Sequence, residues 1–499
     1  MPSSRRWGPL LQGAPKSSVS RETAVPALNA PSADLIHRFI AIVGEAHAVT
    51  AGVDQEPYLK EWRDKYTGRT PVVLRPGTTE EVSSILKLAN AHRIGIVPQS
   101  GNTGLVGGQI PSMSGTEILL SLTRLRAVRD VDPAGGTFIA EAGVTLAEAQ
   151  ATAEKVGRFF PLSLASQGSC MIGGVLSTNA GGTAVLAYGN ARQLCLGLEV
   201  VLADGRVWNG LRRLKKDNSG YDLRDLMIGA EGTLGIITAA TLKLLPRPVE
   251  QATAIVSFTD LGKALATLRL AEETAGSSLT AFEFWGREVM DFSLKYCDGT
   301  RDPLAARYPW YGLIEISSTQ GGGRASEQLE AILVNATEAA SISDAAIAQS
   351  LAQAHNFWQM RESFSSSQKP AGGSIKHDVS VPIARIGEFI DKAAAIIETI
   401  CPGARPVPFG HFGDGNVHYN VSQPEGMDKT AFLALWEPIT RAIHELVASL
   451  EGSFSAEHGV GQMKRADMAA FKSPVELDLM RSIKTALDPN GILNPGKVL

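Results

Sequence analysis

Apolar and polar positions along the chain follow two different periods, and the changes between them predict the order of strands and helices. In the stretch PVVLRPGTTEEVSSILKLANAHRIGIVPQSG, which begins at Pro71, β-branched runs flank a segment with apolar residues three and four positions apart. That segment opens at Thr78 with a capping hydroxyl and first-turn carboxylates. The pattern predicts strand, helix, strand, and its continuation to about Pro248 predicts an α+β domain. The apolar positions on the helical face are Val82, Ile85, Leu86 and Ala89.

A second pattern, from about Gln251 to Pro424, mixes short strands with long helices. The strand segments are WYGLIEISS, VPFGHFG and NVHYNVS, and the helical ones are EQLEAILVNATEAAS and SLAQAHNFWQMRESFSS. This mixture predicts a sheet covered by helices on one side. From Asp428 onwards the pattern is mainly helical and ends in the loop DPNGILNPGKVL.

Length and charge narrow the class of protein. A chain of 499 residues exceeds one ordinary core, so we expect two or more domains. With 20% charged residues and a formal net charge of -4, the chain has no electrostatic footprint for nucleic acid or an anionic membrane. No apolar run approaches the roughly 18 to 20 residues of a transmembrane segment. Neither nucleic acid nor a membrane is therefore implied as a partner.

Cysteine spacing and the first thirty residues add two expectations. Four cysteines lie far apart without a CxxC pair, which argues against a zinc ribbon, an iron-sulfur cluster or a disulfide framework. The first thirty residues contain Arg5, Arg6, Lys16 and Arg21 with several serines. This composition favours a flexible leader and a cytoplasmic protein, and the alternative is a transit peptide to the mitochondrial matrix.

Three glycine-rich segments interrupt the first block. The first, Pro98 to Gly108, follows a predicted strand and contains four glycines, so its backbone amides can approach a phosphate. It is not a GxGxxG fingerprint opening a helix, and it lacks the GK[ST] of a P-loop. The second runs from Ile172 to Gly182, and the third, from Ser219 to Ile237, ends in a predicted strand. The first loop is suited to hold an anion. A single glycine loop is usually a tight turn, but three together make that interpretation less favoured.

Two histidine motifs predict a metal site. Residues 409–420 read FGHFGDGNVHYN, in which a Gly-Asp-Gly-Asn turn between apolar stretches predicts a hairpin. His411 and His418 flank that turn and can converge, and Glu457 lies in a second segment, SAEHGVG. Two imidazoles and a carboxylate suit Zn²⁺ or a similar divalent ion with open positions for a substrate. A lone histidine in an amphipathic stretch, such as His444, is instead expected to have no functional role.

The glycine segments and the motifs HxGDGNxH and EHGxG, from about Pro71 to Leu499, resemble one family. It is the vanillyl-alcohol oxidase and p-cresol methylhydroxylase flavoprotein superfamily, and most closely its D-2-hydroxyacid dehydrogenase branch. The resemblance implies an α+β fold with a two-subdomain FAD-binding domain of the p-cresol methylhydroxylase type, a substrate domain with a mainly antiparallel sheet, and a helical C-terminal region. The expected divisions are a leader (1–30), a helical segment (31–70), the FAD-binding domain (71–248), the substrate and metal domain (249–427) and the C-terminal region returning to FAD (428–499).

The resemblance also implies the cofactor and its contacts. Covalent members have a histidine in the first loop, where this chain has Ser100, Asn102 and Thr103, so we expect non-covalent FAD. The branch usually has glycine in place of Ser100, which must therefore keep φ below zero or accept strain. The pyrophosphate is expected at the first loop and the flavin ring and ribityl at the later segments. The implied contacts are Pro98, Ser100, Gly101, Asn102, Thr103, Gly104, Leu105, Gly173, Gly174, Ser177, Asn179, Gly182, Ile236 and Asn494.

For the reaction, the resemblance implies oxidation of a D-2-hydroxy acid, with D-2-hydroxyglutarate to 2-oxoglutarate preferred. His411, His418 and Glu457 would hold the metal, His458 would be the general base, and flavin N5 would accept the hydride. The resemblance implies that Arg361, Ser365 and Lys376 bind the second carboxylate and that Asn420 helps to hold the first, with His458 also contacting the substrate.

The substrate and the type of protein each have a competing interpretation. D-lactate is the competing substrate, for which an equivalent of Lys376 is not expected. The chain could also be a flavin subunit of a glycolate-oxidase-type complex, or a metal-binding protein without catalysis. The resemblance suggests an electron-transfer flavoprotein or a quinone as electron acceptor, and we expect a homodimer.

Overall fold

The computed structural model describes residues 27–499, so most of the expected leader, residues 1–26, lies outside the described part of the chain. Two helices, Ala33–Val43 and Gly52–Leu59, precede strand Val73–Leu74. Among residues 27–499, no helix combines the length and the apolar composition that crossing a membrane requires. The four cysteines are free thiols, and three of them are buried.

A four-stranded sheet opens the predicted α+β domain. Helix Thr79–His92 begins where the Thr78 hydroxyl accepts the N–H of Glu81, and its predicted apolar face is buried in the core. The strand-helix-strand prediction is confirmed. In spatial order, the strands are Ala48–Val49, Val73–Leu74, Ile118–Ser121 and Ile96–Gln99, and the last three are mutually parallel.

A five-stranded antiparallel sheet forms the other half of this region. Ala142, Val201 and Ile236 from this half are buried in the same core as the four-stranded sheet, so the two halves pack together. In spatial order, its strands are Val128–Asp132, Thr137–Glu141, Ile236–Lys243, Cys195–Val201 and Val207–Gly210. A short ribbon pairs Arg158–Phe159 with Leu245–Pro246. Its helices are Leu146–Lys155, Ile172–Ser177, Val185–Tyr188, Ala191–Leu194 and Leu223–Met227.

The largest sheet has eight antiparallel strands and spans the second sequence pattern. In spatial order, its strands are Ala345–Ile347, Glu250–Phe258, Trp310–Ser318, Leu279–Gly286, Arg405–His411, Asn416–Ser422 and Ser374–Ile375, with Val379–Ser380 also paired to Asn416–Ser422. All three predicted strand segments are present. The predicted helices are also present, as Arg324–Glu338 and Leu351–Ser367.

Helices cover both faces of this sheet, so the prediction of a single covered face is wrong. Along strand Glu250–Phe258, Ala254 and Val256 lie in one core and Ile255 lies in another on the opposite face. Residues 252–258 are buried without interruption, which is typical of a strand covered on both sides. The first core is covered by Leu261–Ala275, Arg324–Glu338, Ile386–Ile400 and Trp436–Ser449, and the second by Arg287–Tyr296 and Leu351–Ser367.

The C-terminal region is mainly helical, with Lys429–Leu433, Trp436–Ser449, Arg465–Phe471 and Pro474–Leu487. After the last helix the chain returns to the four-stranded sheet, where Leu493 bridges Ile96 and both side chains are buried in one core. The return places Asn494 beside the first glycine segment. The α+β fold expected from the sequence is confirmed.

Candidate active site

The first glycine segment leaves strand Ile96–Gln99 and forms an open loop. Among the described residues, the backbone N–H groups of residues 101–105 donate to no acceptor of the chain. Asn102 takes a left-handed φ of 52°, and its side-chain amide donates to Pro57 O and Lys60 O, each at 3.0 Å. A row of unpaired amides held in place is the backbone form of an anion site.

The second glycine segment packs directly on the first. A Cβ on Gly174 would lie 3.4 Å from Cβ of Ser100, and one on Gly173 would lie 2.6 Å from Cβ of Ala142. Ser100 is not among the residues with positive φ, so the expected conformation is found without left-handed strain. Gly182 is still more confined, since a Cβ there would lie 1.9 Å from Ser163 O. The approaches at Gly173 and Gly182 explain why these two positions need glycine.

The third segment and the C-terminal tail complete this surface through Glu231. Its backbone N–H donates to Ser177 O at 2.8 Å, and its backbone O accepts from the Asn494 amide at 2.7 Å. Asn494 also donates to Gly108 O at 3.0 Å, while its Oδ1 is buried without a donor among the described residues. The predicted cofactor residues therefore lie together. The unpaired amide row, the orphaned Asn494 oxygen and the close glycine backbones fit an FAD cradle.

The predicted hairpin is confirmed and brings the two histidines together. Strands Arg405–His411 and Asn416–Ser422 pair through one short turn, and the rings of His411 and His418 are 5.9 Å apart. His411 Nε2 is 3.7 Å from Glu457 Oε1. One ligand atom from each of His411, His418 and Glu457 can be chosen so that all lie within 4.8 Å of one another. This donor set fits a divalent ion such as Zn²⁺.

The cluster borders the cofactor cradle. A Cβ on Gly181, at the end of the second glycine segment, would lie 3.2 Å from Glu457 Oε1. A Cβ on Gly413, in the hairpin turn, would lie 2.7 Å from Leu186 of the same region. The cluster therefore adjoins the second glycine segment through Glu457, and the hairpin adjoins the helix Val185–Tyr188 that follows this segment. A reaction between a bound substrate and a flavin requires such proximity.

His458 lies beside this cluster and contacts a residue that the sequence interpretation missed. Its Nδ1 is 3.4 Å from Asp378 Oδ2. Asp378 is buried and accepts the backbone N–H groups of Glu457 and His458 at 3.0 and 2.9 Å, and the Asn416 amide at 2.9 Å. One carboxylate thus fixes the segment that supplies a predicted ligand and the predicted base. An acid inside the strand-like stretch SIKHDVSV was the available clue.

Burial and neighbouring charges set the protonation of these groups. Burial lowers the pKa of His458 to about 4, which leaves its imidazole neutral at pH 7. Burial also raises the pKa of Glu457 above its ordinary value. Burial opposes protonation of His411, but the carboxylate of Glu283 outweighs it and raises the His411 pKa to about 9. Glu283 is a second residue that the sequence interpretation did not find.

The predicted substrate residues form a group next to the cluster. Arg361 and Ser365 are one turn apart on helix Leu351–Ser367, and the Lys376 ammonium donates to Ser365 O at 2.9 Å and Ser365 Oγ at 3.2 Å. Asn420 is two positions beyond His418 on the same strand, hence on the same face, and its amide donates to Gln368 Oε1 at 3.1 Å.

Basic residues from the N-terminal segment add to this group. Burial lowers the pKa of Lys376 to about 8, and the positive charges of Arg63 and Lys65 lower it further. Lys65 also packs over the Trp436 ring at 3.6 Å. The sequence interpretation missed Arg63 and Lys65 because KEWRDK resembles an ordinary solvated charge run. His444, for which the sequence predicts no role, is buried with its Nδ1 3.0 Å from Asp467 Oδ1.

Comparison with known proteins now identifies the family. Residues 247–498 match the model of the FAD linked oxidases, C-terminal domain, and residues 70–210 match an FAD binding domain. D-2-hydroxyglutarate dehydrogenase, mitochondrial, of Arabidopsis thaliana is 37% identical over 502 aligned residues, covering 99% of this chain and 87% of that one. The chain belongs to the FAD-linked D-2-hydroxyacid dehydrogenases. The resemblance inferred from the motifs is confirmed.

Two further comparisons concern a second relative and a solved structure. The D-2-hydroxyglutarate--pyruvate transhydrogenase DLD3 of Saccharomyces cerevisiae is 35% identical, covering 88% of each chain. Among solved structures, p-cresol methylhydroxylase with substrate bound has a TM-score of 0.72 at 18% identity, covering 93% of this chain and 96% of that one. The second likeness concerns the fold alone, and it agrees with the predicted type of FAD-binding domain.

Proposed function

We propose that the protein oxidises D-2-hydroxyglutarate to 2-oxoglutarate with FAD and a divalent metal ion. The observation that carries the proposal is the grouping of Arg361, Ser365 and Lys376 beside His411, His418 and Glu457. A basic group of this kind suits the second carboxylate of a dicarboxylic substrate. The similarity to D-2-hydroxyglutarate dehydrogenase over 99% of the chain supports the same substrate.

FAD would be held non-covalently by the surface that the three glycine segments and the tail form. The unpaired amides of residues 101–105 suit the pyrophosphate, and the orphaned Oδ1 of Asn494 suits a hydrogen-bond donor of the cofactor. The contacts proposed are those predicted from the sequence, from Pro98 in the first segment to Asn494 in the tail. When bound, FAD supplies an acceptor at N5 for the hydride from C2 of the substrate.

A divalent ion, with Zn²⁺ preferred, would be held by His411, His418 and Glu457. When bound, such an ion lowers the pKa of a hydroxyl group beside it. Both imidazoles must be neutral to serve as ligands. Burial favours this state for His418, because it lowers the pKa of that residue well below the ordinary value.

His458 would take the proton of the substrate hydroxyl. Its pKa of about 4 keeps the imidazole unprotonated at neutral pH, so it can accept. Asp378 lies 3.4 Å from Nδ1, so we assign the proton to that nitrogen and the acceptor role to Nε2. The same carboxylate would stabilise the imidazolium after transfer.

The two ends of the substrate would be bound separately. Lys376, Ser365 and Arg361 would hold the distal carboxylate, and Asn420 with His458 would contact the end that reacts. Arg63 and Lys65 would strengthen the positive field at the distal end, since both lie close enough to lower the pKa of Lys376. D-lactate has no distal carboxylate and would leave this group unused, which makes it the weaker of the two substrate candidates.

The electron acceptor is proposed to be an electron-transfer flavoprotein or a quinone. Pyruvate is a second candidate acceptor, which would make the protein a transhydrogenase. The name of the Saccharomyces cerevisiae relative, D-2-hydroxyglutarate--pyruvate transhydrogenase, favours this candidate. A third candidate function is that of a flavin subunit in a glycolate-oxidase-type complex.

For the assembly, a homodimer is proposed. For location, the sequence favours the cytoplasm, and the word mitochondrial in the Arabidopsis name supports the matrix alternative.

Dye reduction by the purified chain tests the proposal. A panel of D-2-hydroxyglutarate, D-lactate, D-malate and glycolate, each with and without EDTA, should give the highest kcat/KM for D-2-hydroxyglutarate and a loss of rate with EDTA. Pyruvate added in place of the dye tests the transhydrogenase alternative through the formation of D-lactate. Colourless protein, or a preference for D-lactate, would contradict the proposal.

A further inference from the structure

Glu283 joins the ion site to the substrate site through one buried carboxylate. It lies on strand Leu279–Gly286, is fully buried, and pairs directly with His411 across the sheet. Its Oε1 is 2.6 Å from His411 Nδ1. Its Oε2 accepts from Nε and Nη2 of Arg361, each at 2.7 Å.

We infer that Glu283 is a positioning residue that fixes the ring nitrogen His411 presents to the ion and the plane of the Arg361 guanidinium. The inference rests on the proposed function, in which His411 binds an ion and Arg361 binds a substrate carboxylate. It adds that the ion site at His411 and the substrate site at Arg361 are both positioned by Glu283, so that the geometry of one depends on that of the other.

The imidazole orientation follows from what a carboxylate can do. An ionised carboxylate only accepts hydrogen bonds, so the nitrogen 2.6 Å from Glu283 carries a proton. The nitrogen that remains for a metal is Nε2, which faces Glu457 Oε1 at 3.7 Å. Fixing one nitrogen by a hydrogen bond to orient the other is a common arrangement at a metal-binding histidine.

The Arg361 guanidinium is fixed by the same carboxylate and by aromatic rings. Two of its nitrogens are bonded to Glu283, and its Cζ lies 5.1 Å from the centroid of the Phe409 ring. Among the described residues, Nη1 has no hydrogen-bond partner and is free for a ligand carboxylate. A buried arginine would otherwise lose its counter-charge, so Glu283 both orients and neutralises it.

The substitution Glu283→Gln tests the inference because it changes acceptor chemistry with little change in shape. The amide oxygen can still accept from Arg361, but the amide nitrogen would face His411 and donate to Nδ1. The proton would then sit on Nε2 and oppose coordination. Zinc affinity of the FAD-loaded protein, measured by chelator competition at matched pH, should fall about tenfold to a hundredfold.

The matched control is Glu315→Gln. Glu315 is partly buried on the neighbouring strand Trp310–Ser318, and it accepts from Trp358 Nε1 at 2.7 Å rather than from a histidine. Its zinc affinity should stay within about twofold of wild type. Equal zinc affinities in wild type and E283Q would overturn the inference.

A second measurement needs no metal and no change at Glu283. In a ¹⁵N histidine spectrum of the zinc-free wild-type protein, with His411 assigned through H411N, Nδ1 should carry a proton at pH 7 and still at pH 9.5. An unprotonated Nδ1 at pH 9.5 would overturn the inference even if E283Q did not fold. A protonated Nδ1 in a protein that binds no zinc would retain the role of Glu283 and reject the proposed metal dependence.

Discussion

The cofactor surface and the histidine cluster touch each other, yet they are built from different parts of the chain. The cofactor surface consists mainly of backbone, namely the free N–H groups of residues 101–105 and glycines in close contact with other loops. The cluster and the neighbouring His458 consist of side chains, of which His411 is held by the buried Glu283 and His458 by the buried Asp378. We therefore expect cofactor binding to be lost when a side-chain atom is added to the cofactor surface, and the reaction to be lost when a side chain of the cluster is removed.

The largest expected effect is on the cluster. In the double variant His411→Ala, His418→Ala, loss of both imidazoles should lower kcat about a thousandfold or more, because the proposed ion at the reacting hydroxyl would supply several kcal/mol. The flavin absorbance should remain, since these side chains are not part of the proposed cofactor contacts. Steady-state dye reduction and the visible spectrum measure the two outcomes.

The exposed His355, replaced by alanine, is the control and should leave both measurements unchanged. If the double variant kept its turnover, or lost its colour, the separation between the two regions would be wrong.

The second prediction concerns the cofactor surface. A Cβ on Gly101 would lie 2.1 Å from Ser169 O, whereas a Cβ on Gly168, one residue before Ser169, would meet no atom of residues 27–499 within 4 Å. Gly101→Ala should cost about 1–3 kcal/mol, as overpacking does, and should lower FAD occupancy. Gly168→Ala should do neither. The ratio of flavin to protein absorbance and the Tm report the difference, and equal FAD content in both variants would contradict it.

The third prediction tests whether the cluster and the distal group recognise different ends of the substrate. Lys376→Ala removes a charged hydrogen-bond donor, which is worth about 1.5–3 kcal/mol, and should raise KM for D-2-hydroxyglutarate about tenfold to a hundredfold. KM for D-lactate should not change. Lys369→Ala, at an exposed lysine nearby in the sequence, is the control. An equal rise in KM for both substrates would contradict the prediction, because it would mean that Lys376 does not act on the distal carboxylate alone.

The smallest effect is a pH dependence. The pKa of Lys376 is lowered to about 8, chiefly by burial, so its charge is present below pH 8 and is lost as the pH rises above it. The ratio of kcat/KM for D-2-hydroxyglutarate to that for D-lactate should therefore fall severalfold between pH 7 and pH 9. Lys376→Arg keeps the charge and should flatten the profile. A ratio independent of pH in wild type would argue against Lys376 as the distal contact.

Local patterns in the sequence were sufficient for many elements. The helix starting at Thr79, the hairpin around residues 411–416 and the three glycine segments each depend on residues close together in the chain, such as a capping hydroxyl or a turn. The motif pair around His411 and Glu457 was also informative, because its residue types suit one chemistry. The helix, the hairpin and the three glycine segments were predicted correctly because neighbours in sequence decide them.

The second covered face of the large sheet and the supporting residues could not be predicted in the same way. The residue types of strand Glu250–Phe258, EQATAIVSF, are compatible with helices on one face of the sheet or on both, and only the packing of distant helices decides which. Likewise, Glu283 is 128 positions from His411, and Asp378 is 80 positions from His458. A carboxylate becomes a support only when folding buries it against its partner.

By itself, the sequence determined the family, the cofactor cradle and the residue types of the cluster, since each is encoded by a short motif. The tertiary structure decided which carboxylates hold those imidazoles, which N-terminal cations face Lys376, and how the tail reaches the first loop. The physical reason is that burial strengthens the electrostatic interaction between two charged groups and requires each buried charge to have a partner. Burial is a property of the assembled fold.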